Sequence, residues 1–140
     1  MNKIIDVETV VGADARTVWD ALTLPKHIVN WNFASPEWEC PRADSDLRPG
    51  GRFNYRMQAR AGGQGFDLAG TFDNIVPRKR LDYTLDDGRK VSTVILQDGD
   101  KTKVTTSFKA ENTFSEEHQR AGWQSILDNM KKYIERGLKP

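Results

Sequence analysis

His27, His118 and Cys40 are the residues to weigh first for chemistry, because the chain holds only two histidines and one cysteine. A thiol becomes a nucleophile when an imidazole takes its proton, so Cys40, flanked by Glu39 and close to Arg42, would need His27 beside it. The two histidines fall in different segments, with no cysteine or carboxylate at ligand spacing, so there is no metal motif. Asp98 and Asp100 lack the spaced carboxylates and closing glutamate of a calcium loop. No G-x-S-x-G elbow, Walker loop or dinucleotide fingerprint occurs. The sequence thus nominates no catalytic residue, no metal ligand and no cofactor, and Cys40 reads as a buried, inert thiol.

The adjacent glycines of "DLRPGGRFNYRM" (46–57) raise a second possibility, a phosphate cradle. Such a loop must open onto a helix whose N–H groups point at the anion. Here Phe53, Tyr55 and Met57 alternate with Asn54, Arg56 and Gln58, which is a strand pattern. Pro49 and Gly50 suit the centre of a type II turn, with Gly50 or Gly51 at positive φ and Asp46 bonding back to the turn backbone. The turn residues Asp46, Pro49, Gly50 and Gly51 are therefore structural.

What remains is an aromatic and methionine set: Trp31, Trp38, Phe53, Tyr55, Met57, Phe72, Tyr83, Trp123, Leu127 and Met130. All fall on segments expected to face inward. They either fill a core or line an apolar pocket with a few convergent polar groups. Arg56, Tyr55, Tyr83, His27 and Glu39 are candidates for those groups, although parity turns Arg56 outward.

The elements that must position this set follow from periodicity. Lys3–Val11 alternates as a half-buried strand. Asp14 is the N-cap of a helix carrying Val18, Trp19, Ala21 and Leu22 on one side. Pro25 opens a second short helix, 25–30. Trp38–Ala43 reads as a short strand. A run of hairpins then follows: Arg52–Ala59, Phe66–Val76, Arg80–Leu85, Lys90–Gln97 and Lys101–Ala110, with Asp-Gly turns at 87–88 and 98–99. The last segment is an amphipathic helix with Trp123, Leu127, Met130, Ile134 and Leu138 on its stripe. Its start is either a Thr113/Glu116 capping box or Ser115, and Gly137 is its stop. Gly122 is out of place in a helix interior, and a close approach of helix to sheet would explain it. Trp123 should be buried against the sheet.

An antiparallel sheet with one apolar face needs a cover, and the terminal helix offers one about 30 Å long at 1.5 Å per residue. The expected fold is α+β: a curved antiparallel sheet of about six or seven strands gripping the C-terminal helix, with two short helices after the first strand. A cavity is its natural by-product. One domain spans 1–140, without repeats or linkers.

Lys and Arg number 21 and Asp and Glu 20, a net charge of +1, which argues against nucleic acid or an anionic membrane as partner. No apolar run reaches the ~20 residues of a membrane helix, and the N-terminus lacks a signal-peptide core. A lone cysteine suits a reducing compartment, so a soluble cytoplasmic protein, monomer or homodimer, is expected.

"VWDALT" (18–23), Trp31, "DLRPGGRF" (46–53), "GTFDNIVPRKRLDYT" (70–84) and "GWQSILDNMKKYI" (122–134) occur in an order and spacing that resembles the heat-shock-protein 90 ATPase activator homologue family, within the START/Bet v 1-like helix-grip superfamily. The likeness runs from Ile4 to Leu138. It implies the helix-grip fold, and the superfamily implies a small apolar or aromatic ligand in a cavity between sheet and helix. Two alternatives come with it: a co-chaperone-like module stimulating a chaperone ATPase in a stress response, or an enzyme of cyclase or hydrolase type.

Overall fold

The computed structural model describes residues 3–137. Leu138, expected on the helix stripe, lies outside the described residues. The elements run β1 (Ile4–Val11), α1 (Ala15–Thr23), α2 (Pro25–Ile28), β2 (Trp38–Ser45), β3 (Arg52–Ala59), β4 (Gly65–Val76), β5 (Arg80–Leu85), β6 (Lys90–Asp98), β7 (Lys101–Lys109) and α3 (Glu116–Glu135). The seven strands form one antiparallel sheet in the order β1-β7-β6-β5-β4-β3-β2, curled around α3 as the helix-grip expectation required. Among the described residues no helix is long and apolar enough to cross a membrane.

Strand parity decides what faces the helix. Ile5, Val7, Thr9 and Val11 of β1 are buried while their neighbours are exposed, and on β3 Phe53, Tyr55 and Met57 are buried between exposed or half-buried neighbours. Register carries this across the sheet, so that Phe72, Tyr83, Val91, Phe108 and Ile5 form one inward row. Leu81, Thr93, Thr106 and Val7 form the next. Phe53 centres an aromatic cluster, with Tyr55, Phe72 and Tyr83 each 5.0 Å away.

Helix α3 does not sit over the middle of the sheet. It is fastened along the free edge of β1, where the backbone would otherwise be left unpaired. Arg120 donates to the Asp6 carbonyl (2.8 Å), Gln124 to that of Glu8 (2.9 Å), and Lys131 to that of Val10 (2.7 Å). The Gly12 N–H returns a bond to the Glu135 carboxylate at 2.8 Å. The opposite edge, β2, is interrupted by Pro41 and a register shift between Glu39 and Arg42, which spoils it as a template for another strand.

One open choice is settled and two local expectations change. Ser115 caps α3 by accepting from the His118 N–H, so Ser115 fills the position and not the Thr113/Glu116 box. The Asp46 carboxylate binds the Arg48 guanidinium at 2.8 Å instead of the turn backbone. A Cβ added at Gly122 would meet nothing within 4 Å, so no close approach of helix to sheet demands glycine there; the position opens onto empty space. Asp14 caps α1 as expected, accepting from the Thr17 N–H at 2.8 Å.

The turn before β3 is built on both glycines. Gly50 has φ of 83°, and Gly51 N–H closes the turn onto the Arg48 carbonyl at 2.8 Å. Gly50 N–H and Gly51 C=O also pair with Phe72, extending the β3–β4 ladder into the turn. A Cβ on Gly51 would collide with the backbone carbonyl of Asp46.

Three substitutions test the glycines of this turn and of α3, and Gly122→Ala differs in sign from the other two. Gly51→Ala should destabilise by more than about 2 kcal/mol, because backbone must move to admit the methyl, while Gly50→Ala meets only the left-handed strain of roughly 1 kcal/mol. Gly122→Ala should instead stabilise by up to about 1 kcal/mol, the helix-propensity difference in an unobstructed position. Urea unfolding ranks the three; a Gly122→Ala protein less stable than the parent would show that α3 does pack closely there.

Candidate functional site

Because α3 hangs on β1, its side chains do not reach all of the concave face, and a cavity of ≈ 650 Å³ lies between them. Of the ten nominated residues, Trp31, Tyr55, Met57, Tyr83, Trp123 and Leu127 line it. Phe53 and Phe72 lie beneath the wall in the aromatic cluster, and Met130 is fully buried in the helix–sheet core. Trp38 sits outside the cavity against the exposed ring of Phe66, 5.9 Å away. Trp123 corrects the expectation of full burial: it stacks on Phe108 at 4.3 Å but is half-buried and borders the cavity.

Local structure fixes these walls. Trp31 is held by its indole N–H, which donates to the Ala21 carbonyl at 3.0 Å, pinning the chain after α2 to the end of α1. At the other end the loop between β7 and α3 is buckled by buried Gln119. Its amide donates to the carbonyls of Glu111 (2.9 Å) and Phe114 (2.8 Å) and accepts from the Glu111 N–H (2.8 Å). That arrangement sets Phe114 and His118, stacked at 4.8 Å, on one side of the cavity rim.

Only two of the five nominated polar groups, Tyr55 and Tyr83, line the cavity. Burial pushes both phenols well above their ordinary value, so they remain neutral O–H donors at physiological pH. Arg56 points outward, as its parity required, and meets Asp67 at 3.5 Å. Glu39 is on the outer face with Gln58 and Arg60. His27 Nδ1 lies 2.7 Å from the Tyr133 hydroxyl, and desolvation lowers its pKa from the ordinary imidazole value. Cys40 is buried, its Sγ donates to the Arg42 carbonyl at 3.6 Å, and desolvation raises its pKa to about 11, so the thiol is inert as a nucleophile at neutral pH.

Other polar groups in the wall were not singled out from sequence. Thr93 and Thr106, 4% and 5% exposed, hydrogen-bond to each other at 3.0 Å across β6 and β7. The inward parity of their strands pointed to them, but their small size gave no reason to choose them over Val91 or Val104. Asn32 is buried at 5% exposure and follows Trp31 in the irregular stretch, where no period gives it a direction. Arg89 lies at the rim, held by Asp87 at 2.8 Å and Glu111 at 3.4 Å. Among the described residues no group of three or more His, Cys, Asp or Glu side chains gathers as a metal site.

The site is a cavity with hydrogen-bonding groups set in a largely apolar wall, and proteins of known structure share the surrounding fold. No functionally curated protein matches the chain. Its fold superimposes on the solution structure of an AHSA1-like protein from Aeromonas hydrophila with a TM-score of 0.92 and 38% identity, covering 98% of this chain and 96% of that one. A Cytophaga hutchinsonii protein gives a TM-score of 0.81 at 42% identity, with 96% and 93% covered. A Chromobacterium violaceum protein at 21% identity and a TM-score of 0.84, with 93% and 96% covered, shares the fold alone. The sequence profile described as "Activator of Hsp90 ATPase homolog 1-like protein" matches residues 12–135, which takes in every element from α1 to α3. The chain belongs to the Activator of Hsp90 ATPase homolog 1-like family.

Proposed function

We propose that this protein is a non-catalytic binding protein that holds a small apolar or aromatic molecule between the sheet and α3. The observation that carries the reading is the ≈ 650 Å³ cavity walled by Trp31, Tyr55, Met57, Tyr83, Trp123 and Leu127. Its volume lies within the range of about 300–1,000 Å³ typical of small-molecule sites. Filling it would recover packing that a well-filled core already has, since voids of this size are rare in protein interiors. At ~25 cal/mol per Å², removing about 200 Å² of apolar surface from water contributes roughly 5 kcal/mol, a Kd in the high-micromolar range. Stacking on Trp123 adds to that.

Family membership supports a second reading, a co-chaperone-like module acting on a chaperone ATPase. That role would use the outer surface. Exposed Val10 and Leu96 flank Lys103 in one register row on that face, with Val94 in the next. A cavity is superfluous to such a role, which is why the binding reading stands first.

Titration with neutral aromatic compounds, followed by tryptophan emission, tests the primary reading, because Trp31 and Trp123 border the cavity. Saturable change is expected, and Gly122→Trp, which projects a side chain into the open space beside the helix, should abolish it. Absence of saturable change with any compound, or unchanged binding in the Gly122→Trp protein, would remove the cavity from the account and leave the docking module.

A further inference from the structure

The cavity wall also says what kind of molecule suits it, an inference that rests on the binding reading above. Several polar side chains in the wall make no side-chain hydrogen bond in the geometry of the described residues, the Asn32 amide and the Tyr83 hydroxyl among them. The Asn32 amide is not sealed from solvent, so a ligand that displaces water from it must replace that hydrogen bond to bind without loss. Thr93 and Thr106 add a third point. Two hydroxyls that share one hydrogen bond leave one O–H over, and valine at either position would fill the same space without that surplus.

Charge at the rim sets the opposite limit. Asp67, Asp86, Asp87 and Glu111 all line the cavity. Arg52 holds Asp86 through two bonds of 2.6 and 2.8 Å, and Arg56 meets Asp67 at 3.5 Å. Arg89 alone serves both Asp87 and Glu111. Four carboxylates against three guanidiniums leave one negative charge in excess among these groups. Arg89, the cation that lines the cavity, is engaged on both sides. An incoming carboxylate would have to shed its water, displace one of those partners, and lie beside the carboxylate it displaced.

We propose that the cavity takes an uncharged aromatic compound bearing a hydroxyl or carbonyl group, hydrogen-bonded by Tyr83, Asn32 or the Thr93–Thr106 pair, and excludes carboxylate-bearing amphiphiles. Tyr83 ranks first as the anchor, because it faces the space from β5 one inward row away from the threonine pair on β6 and β7. The polar groups thus select by hydrogen bonding, while the rim selects against negative charge.

Three compounds of nearly one shape separate the terms: biphenyl, 4-phenylphenol and biphenyl-4-carboxylate, titrated by calorimetry at neutral pH. The phenol should bind at least about tenfold tighter than the carboxylate, and tighter than biphenyl. Tyr83→Phe should reduce the phenol-to-biphenyl affinity ratio toward one, and Glu111→Gln, which removes one of the two carboxylates on Arg89, should narrow the gap between phenol and carboxylate. A carboxylate that binds as tightly as the phenol, or a phenol no tighter than biphenyl, overturns this selectivity while the binding reading survives. Failure of all three compounds to bind overturns both.

Discussion

The structure depends on the fastening of α3 to the outer edge of β1. Carbonyls of Asp6, Glu8 and Val10 along that edge are bonded by Arg120, Gln124 and Lys131, and Glu135 closes the row on Gly12. An exposed strand edge is a liability, and here the helix that covers the core also covers the edge. The same contacts fix the helix laterally. With Leu127, Met130, Tyr133 and Ile134 buried toward the sheet, the helix cannot also fill the space over β3 to β6. The cavity is the geometric remainder of that choice.

Several residues keep the remainder open. Gly122 withholds a side chain where one would project into free space, at a helix-propensity cost of about 1 kcal/mol. Gln119 knots the preceding loop so that Phe114 stays at the rim instead of folding into the hollow. Trp31, tied to Ala21, walls the other end. Folded domains are stable by only about 5–15 kcal/mol, so a large void held open at several points forgoes packing that counts against that small margin.

Much of the fold was legible in the sequence because the signals were local. Period-two alternation in β1, β3 and β5, Asp-Gly turns at 87–88 and 98–99, and Asp14 at the start of α1 each act through near neighbours. The cavity wall was legible only in part, for a physical reason. Parity says that Phe53 and Tyr55 both face inward, but only curvature and the lateral offset of α3 decide that Tyr55 meets the cavity while Phe53 packs beneath it. His27, Glu39 and Arg56 had suitable chemistry but sit on other surfaces. Asn32 and Thr93 had the right place but no distinguishing type. The capping choice at Ser115 over Thr113 was likewise a contest between two adequate local signals, decided by where the loop can travel once Gln119 has bound it.

The central claim is that the space under α3 is a real, largely apolar hollow and not a core that closes in solution. Such hollows take up xenon. Methyl-resolved NMR of the protein under increasing xenon pressure is the most direct test. Saturating shifts confined to Met57, Leu127 and neighbouring wall methyls, with outward Val94 and Leu96 unmoved, are the predicted result. Shifts at Met57 and Leu127 no larger than those at Val94 and Leu96 would contradict it.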